Sequence, residues 1–277
     1  MEIKLNNNIN IPMNGIGTGI VNNSEDKVKL YETLSYAVDK GYTLFDTARA
    51  YELSESVLGE VVTKNNRDKL FIISKISNTQ QRTKTVRESL IESLEQLKID
   101  YIDLYLIHWP QSNTYMNTWM QMEDLYKEGL VRSIGLSNFH KHHIENLMEY
   151  ASIAPCVNEF EIHPLLTQES LIKYCRTTGI HIIAYTPIGR MHDELKYSKT
   201  LIDISEEYNK TISQIILRWH YQKDIITIPH TLKKERIDEY NNIFDFKLSK
   251  DEMISIDNIN RNLRLRFNPD ACDFNKL

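Results

Sequence analysis

The chain has only three cysteines in 277 residues, Cys156, Cys175 and Cys272, and none forms a CxxC pair. An odd number without ligand spacing fits a reducing cytoplasm better than a disulfide framework. No run of about 18 apolar residues occurs, so no membrane span is expected. The opening MEIKLNNNINIP lacks the apolar centre of a secretion signal. Lysine and arginine (33) are outnumbered by acids (38), for a net charge of −5, and form no block suited to phosphates. A nucleic-acid partner is therefore not expected. Nine glycines and seven prolines are too few for a flexible linker. One domain spanning residues 1–277 is the simplest organisation.

What the sequence does contain is alternation. Eight short apolar runs read as strands: NGIGTG, TLFDT, KLFIISK, YIDLYLIHW, VRSIGLS, CVNEFEIH, IHIIAYTP and DIITIP. Between them lie stretches with helical periodicity, among them 27–40, 83–97, 119–128, 142–150, 168–178 and 212–222. Strands separated by helices call for a parallel sheet covered on both faces, and eight of them for an α/β fold of the (β/α)8 TIM-barrel type. EIKLNNNINIP predicts an N-terminal β-hairpin closing one mouth of the barrel. The stretch 260–277 loses periodicity and predicts a C-terminal tail over the active-site face.

Four ionisable residues fall at or just past strand ends: Asp46, Tyr51, Lys75 and His108. In a parallel barrel the strand C-termini form the active-site face. A phenol with a pKa near ~10 is a poor acid at neutral pH. A neighbouring ammonium, Lys75, would lower that value, Asp46 would hold the ammonium, and His108 would orient a substrate carbonyl. A hydride for that carbonyl must come from a cofactor, because no side chain can supply one. Taken singly, each residue also has a plain structural reading as cap, loop or core.

FDTARAY, FIISK, DLYLIHWP, RSIGLSNF, VNEFEIHP, IAYTPIG and LRWH…IPH…RIDE, in this order, resemble the aldo-keto reductases. The resemblance implies a metal-free NADPH enzyme, NADH being the alternative, that reduces an aldehyde or ketone, with Asp46, Tyr51, Lys75 and His108 as its catalytic tetrad. It also implies that Ser137, Asn138 and Glu159 hold the nicotinamide carboxamide and that Tyr185 stacks on the ring, exposing its pro-R hydride. Thr186, Ile188 and Gly189 would line the pyrophosphate. His230, Thr231, Arg236 and Glu239 would reach the adenosine end. Two positions depart from the family pattern. Glu159 replaces a glutamine and cannot donate to the carboxamide oxygen unless protonated. His230 replaces a lysine expected at the 2′-phosphate.

The substrate pocket is expected to be lined by Gly19, Ser77, Trp109, Arg264, Arg266 and Phe267. Gly19 and Ser77 stand where members acting on apolar aldehydes often have tryptophans. The short loop from Pro110 to Trp119 is similar to that of bacterial members reducing small dicarbonyls or keto-sugars. The family also implies a cytoplasmic monomer acting on a small carbonyl compound. A cofactor-binding sensor with little turnover is the alternative from another class. His140, His142 and His143 are read as a solvated helix start, because no third metal ligand lies at suitable spacing.

Overall fold

A computed structural model describes residues 1–274, so the tail's last three residues, 275–277, lie outside the described residues. The N-terminal hairpin pairs β1 (Glu2–Lys4) with β2 (Asn10–Pro12). Eight parallel strands follow: β3 (Gly15–Gly17), β4 (Leu44–Asp46), β5 (Phe71–Ile76), β6 (Leu104–Ile107), β7 (Ile134–Ser137), β8 (Val157–Glu161), β9 (His181–Tyr185) and β10 (Ile226–Thr227). Each coincides with one of the eight predicted runs. Bridges from Asn14 to Thr227 and from Gly17 to His230 close β3 onto β10, completing the barrel. Gly17 permits this approach, since a Cβ there would lie 3.0 Å from the Ile228 carbonyl oxygen.

The helices are α1 (Ser24–Asp39), α2 (Ser54–Val62), α3 (Asn78–Thr83), α4 (Val86–Leu97), α5 (Tyr115–Lys127), α6 (Lys141–Met148), α7 (Glu169–Thr177), α8 (Asp193–Lys196), α9 (Lys199–Tyr208), α10 (Ile212–Gln222), α11 (Lys234–Asn241) and α12 (Lys250–Asp257). In α1 the Asn23 side chain accepts the Asp26 N–H, Leu30, Leu34 and Ala37 are buried, and Gly41 follows at φ 87°. The helix predicted over 83–97 is found as α4 but begins only at Val86, and the separate short helix α3 ends just before it. Ser77 with Gln80 and Thr85 with Glu88 form separate capping boxes, and Thr85 is extended, so the chain restarts there. Trp219 is fully buried in α10, as its periodicity predicts.

Side chains alternate along a strand, and here the two faces meet different cores. Phe45, Ile72, Tyr105, Ile107 and Leu136 point to the helices. Leu44, Ile73, Leu104, Leu106, Val157 and Ile183 fill the barrel together with Leu5 and Ile11 of the hairpin, which plugs the N-terminal mouth. Two residues further along the same face come Asp46, Lys75, His108, Glu159 and Tyr185. The apolar layer is therefore the platform for the polar one.

At the opposite end from Lys75, Asp103 fixes β5 against β6. Its buried carboxylate accepts from Arg67 (2.6 Å), Arg132 (2.9 Å) and the Ile72 N–H (2.9 Å). Asp103→Ala would leave the Ile72 N–H without an acceptor and the two arginines without their counter-charge, Arg67 keeping only the Leu70 and Tyr101 carbonyls, and is expected to cost about 3 kcal/mol. The check is a lower urea midpoint at unchanged slope; an unshifted midpoint would contradict this role.

Candidate active site

At the C-terminal ends of the strands lies a cleft of about 640 Å³. Lys75, fully buried beneath it, donates to Asp46 and to the Thr47 carbonyl (3.1 Å) and lies 3.3 Å from Glu159. Burial alone would push the ammonium's pKa down, but Asp46 and Glu159 outweigh it and the net shift is upward. Burial raises both carboxyls against the pull of Lys75, Glu159 to about 8. Glu159 is thus largely protonated at neutral pH. One of its oxygens, Oε2, is buried without a partner.

Tyr51 stands on the turn after β4, its N–H bonded to the Ala48 carbonyl at 2.9 Å. The next residue, Glu52, takes φ 53° before α2. The Tyr51 ring lies edge-on to His108, centroids 5.6 Å apart, with the Lys75 Nζ 5.6 Å from the ring centroid. The expected lowering of the phenol is reversed. Burial pushes Tyr51 up to about 12, against the opposing pull of Lys75. Burial, with Lys75 and Arg266, drives His108 down to about 3, so its imidazole is neutral. Both groups therefore enter neutral solution as uncharged donors.

Asn138, at φ 65°, joins three strand ends: its amide donates to the His108 carbonyl (3.0 Å) and to Ser137 Oγ (3.1 Å), and its Oδ1 accepts from Tyr185 Oη (2.6 Å). Of the residues expected at the site, Gly19, Asp46, Tyr51, His108, Trp109, Ser137, Asn138, Glu159, Tyr185, Thr186, Ile188, His230, Arg266 and Phe267 line the cleft. His230 Nδ1 donates to the Gly17 carbonyl (3.1 Å), and burial lowers its pKa below the ordinary histidine value, so it offers no full charge at pH 7.

Besides Lys75, which lies beneath it, six expected residues do not line the cleft. Ser77 caps α3, and its neighbour Asn78 takes the wall position. Arg264 turns away, 3.6 Å from buried Glu161 and 3.3 Å from Gln168 Oε1. Gly189 packs beside Leu195 and His163. Thr231 accepts the Lys233 N–H (3.1 Å) before α11, and Arg236 on that helix pairs with Glu239. Sequence reasoning missed Asn78 and Arg190 in the cleft wall; Arg190, directly after the TPIG motif, was the one basic signal available there.

The tail supplies what the histidine reading lacked. Asp270 approaches His140 Nδ1 (2.7 Å), His142 Nε2 (3.4 Å) and His143 Nε2 (3.8 Å), so a third potential ligand does exist. The lone pairs have other duties, however. His143 Nδ1 accepts the His140 backbone N–H (3.1 Å), and Arg264 reaches His140 Nε2 (3.5 Å). The arrangement fastens the tail. Glu161 does the same from β8, accepting the Leu265 N–H (2.8 Å) and the Arg266 N–H (3.2 Å).

Residues 14–261 match the aldo/keto reductase family, and the chain belongs to it. It is 42% identical over 273 residues to a glyoxal reductase of Bacillus subtilis, covering 98% of this chain and 97% of the relative. It is 36% identical to methylglyoxal reductase DkgA of Escherichia coli K12, covering 97% and 96%. Among solved structures it superposes with a TM-score of 0.91 on an aldo-keto reductase from a Medee basin deep-sea metagenome library, at 35% identity and 98% and 99% coverage. A Bombyx mori aldo-keto reductase in complex with NADP gives 0.91 at 32% identity, covering 98% and 96%.

Glu161 is expected to be the main anchor of the tail. Glu161→Ala should hasten trypsin cleavage at Arg264 and Arg266, followed by mass spectrometry. Unchanged cleavage in a folded variant would refute the anchor.

Proposed function

We propose that this chain is an NADPH-dependent reductase of aldehydes and ketones in which Tyr51 gives its phenolic proton to the carbonyl oxygen. The observation that carries this reading is the convergence of an un-ionised Tyr51, a neutral His108 and the buried Lys75–Asp46 pair on one cleft beside the Tyr185 ring. Bound NADPH supplies the hydride. Tyr51 loses its proton as charge grows on the carbonyl oxygen, and the Lys75 ammonium stabilises the phenolate left behind. His108 donates a hydrogen bond to the same oxygen and sets its angle. Asp46 keeps Lys75 charged. The named reductases among the relatives offer nothing in favour of a sensor without turnover.

The chain's own groups fit the cofactor. The unpartnered Oε2 of Glu159 is a buried group that a carboxamide would satisfy, and in its protonated form Glu159 can donate as glutamine does. Ser137 and Asn138 would hold the same amide, with Tyr185 stacked to present the pro-R hydride. Thr186 and Ile188 would line the pyrophosphate, whereas Gly189, against Leu195 and His163, would support that turn from outside the cleft. Thr231, Arg236 and Glu239 would serve the adenosine end from outside the cleft wall. Arg190 and the uncharged His230 both line the cleft, and of the two the guanidinium is the group that could carry charge to a cofactor phosphate. Activity as a cytoplasmic monomer is supported by three unpaired cysteines and a cleft built within one chain.

Tyr51→Phe is expected to lower kcat by roughly 10²- to 10⁴-fold with little change in the NADPH Kd; comparable turnover would remove Tyr51 from its role. A second outcome concerns pH. Because the Glu159 pKa is raised to about 8, the donating form persists through neutrality and is lost as pH rises past that value. NADP⁺ affinity, read from quenching of protein fluorescence, should weaken above that pH, and Glu159→Gln should flatten the profile. Parallel profiles for the two proteins would rule the proton out.

A further inference from the structure

Among the described residues, two of the buried side-chain atoms left without a hydrogen-bond partner belong to the cleft wall, Glu159 Oε2 and Asn78 Nδ2. A carboxamide would answer the first, but it leaves the second unexplained. Asn78 follows the end of β5, three residues after Lys75, and is only 2% exposed. Its amide is held in one orientation. Gln81 Oε1 accepts from the hydroxyls of Thr114 (3.3 Å) and Thr118 (3.4 Å), and Gln81 Nε2 faces both the Trp109 carbonyl and Asn78 Oδ1, each at 3.3 Å. The Trp109 carbonyl can only accept, which fixes the nitrogen of Gln81 and, through it, the oxygen of Asn78. Nδ2 is left as the free end. A buried donor without an acceptor is a standing cost to the folded chain, and its presence in a cleft wall points to a ligand that supplies the acceptor.

Resting on the reductase reading above, we propose that Asn78 is a specificity residue for carbonyl compounds with a second oxygen on the neighbouring carbon. Its Nδ2 donates to that oxygen while Tyr51 and His108 hold the first. The strands β5 and β6 are adjacent, and the Gln81 amide ties Asn78 to Trp109, the residue directly after His108. The free donor therefore stands beside the carbonyl site, within the span of a small molecule. A neutral amide N–H suits a neutral acceptor, and vicinal dicarbonyls and α-hydroxy carbonyls carry one next to the reacting carbon. Ser77 contributes to the same preference by turning back to cap α3, which leaves an amide in the wall. A simple aldehyde would occupy the cleft and leave Nδ2 unpaired. A site with a buried donor discriminates against the analogue that lacks the acceptor for this reason.

The test compares methylglyoxal with propanal, which share a three-carbon chain and differ in the second oxygen, using kcat/KM measured with NADPH. Hydration of methylglyoxal in water is common to all variants and cancels when they are compared. Asn78→Leu should lower the methylglyoxal-to-propanal ratio by roughly 3- to 10-fold, the range of one neutral hydrogen bond. The NADPH Kd, read from quenching of protein fluorescence, should stay near the wild-type value. Asn78→Asp, close in size but with an acceptor in place of the donor, should lower the ratio at least as far. Turnover of both compounds with an unchanged ratio in Asn78→Leu would overturn the inference and leave the reductase intact. A weakened NADPH Kd with an unchanged ratio would overturn it too, by giving the donor to the cofactor. If the leucine variant fails to fold, an unchanged ratio in the aspartate variant counts equally against it. No NADPH oxidation with either compound, or with 4-nitrobenzaldehyde, would instead overturn the reductase reading beneath it.

Discussion

A single buried ammonium organises the active-site end of this barrel. Lys75 is wholly removed from water, and an isolated charge in that position would cost several kcal/mol or lose its proton. Two carboxyls, Asp46 on the adjacent strand β4 and Glu159 on β8, answer it, and the Thr47 carbonyl takes a further donor. The two acids are themselves buried and both resist ionisation. The cluster therefore tends toward one full negative charge against one positive, which is the least costly state for a dry interior. Where the family pattern has an amide, the carboxyl of Glu159 adds a proton that can come and go. Its environment makes the substitution tolerable by keeping that proton at neutral pH.

This constraint reaches into the fold through strand parity. Residues two apart on a strand share a face, so Leu44 precedes Asp46, Ile73 precedes Lys75, Leu106 precedes His108, Val157 precedes Glu159 and Ile183 precedes Tyr185. A one-residue slip in any of these strands would send the charged group among the helices and an apolar side chain into the cleft. The hairpin fills the other mouth with Leu5 and Ile11, closing the apolar layer from below. Stability and chemistry are stacked in the same tube.

That stacking explains which features could be read before the structure was known. Strands and their terminal functional residues were legible because apolar runs and the residues ending them are local properties of the chain. Asp46, Tyr51, Lys75 and His108 converge because each belongs to such an end or the turn after it. Ser77 and Asn78 show where locality stops. Both follow β5, but the capping box turns Ser77 back on its own helix and gives the wall to Asn78. Arg264 and Arg266 are alike in composition, and only the two N–H bonds to Glu161 decide that one is structural and the other faces the cleft. Asp270 lies 127 positions from His143, so no spacing rule could have joined them.

The same physics corrects the chemistry first assigned to Tyr51. A nearby ammonium does favour the phenolate, but burial opposes it more strongly, and the phenol remains intact at neutral pH. For a proton donor this is the more useful resting state. A phenol already ionised would have nothing to give, whereas one held un-ionised beside Lys75 can release its proton when the carbonyl oxygen becomes basic enough to take it. In the proposed reaction the ammonium would act mainly on the product of that transfer, the phenolate, and so favour the late part of the step over the resting state. His108 follows a parallel logic: burial and the two cations keep it neutral, leaving it able to orient an oxygen without competing with Tyr51 as the acid. Desolvation sets the initial protonation of both donors, and the buried cation stabilises what the reaction leaves behind.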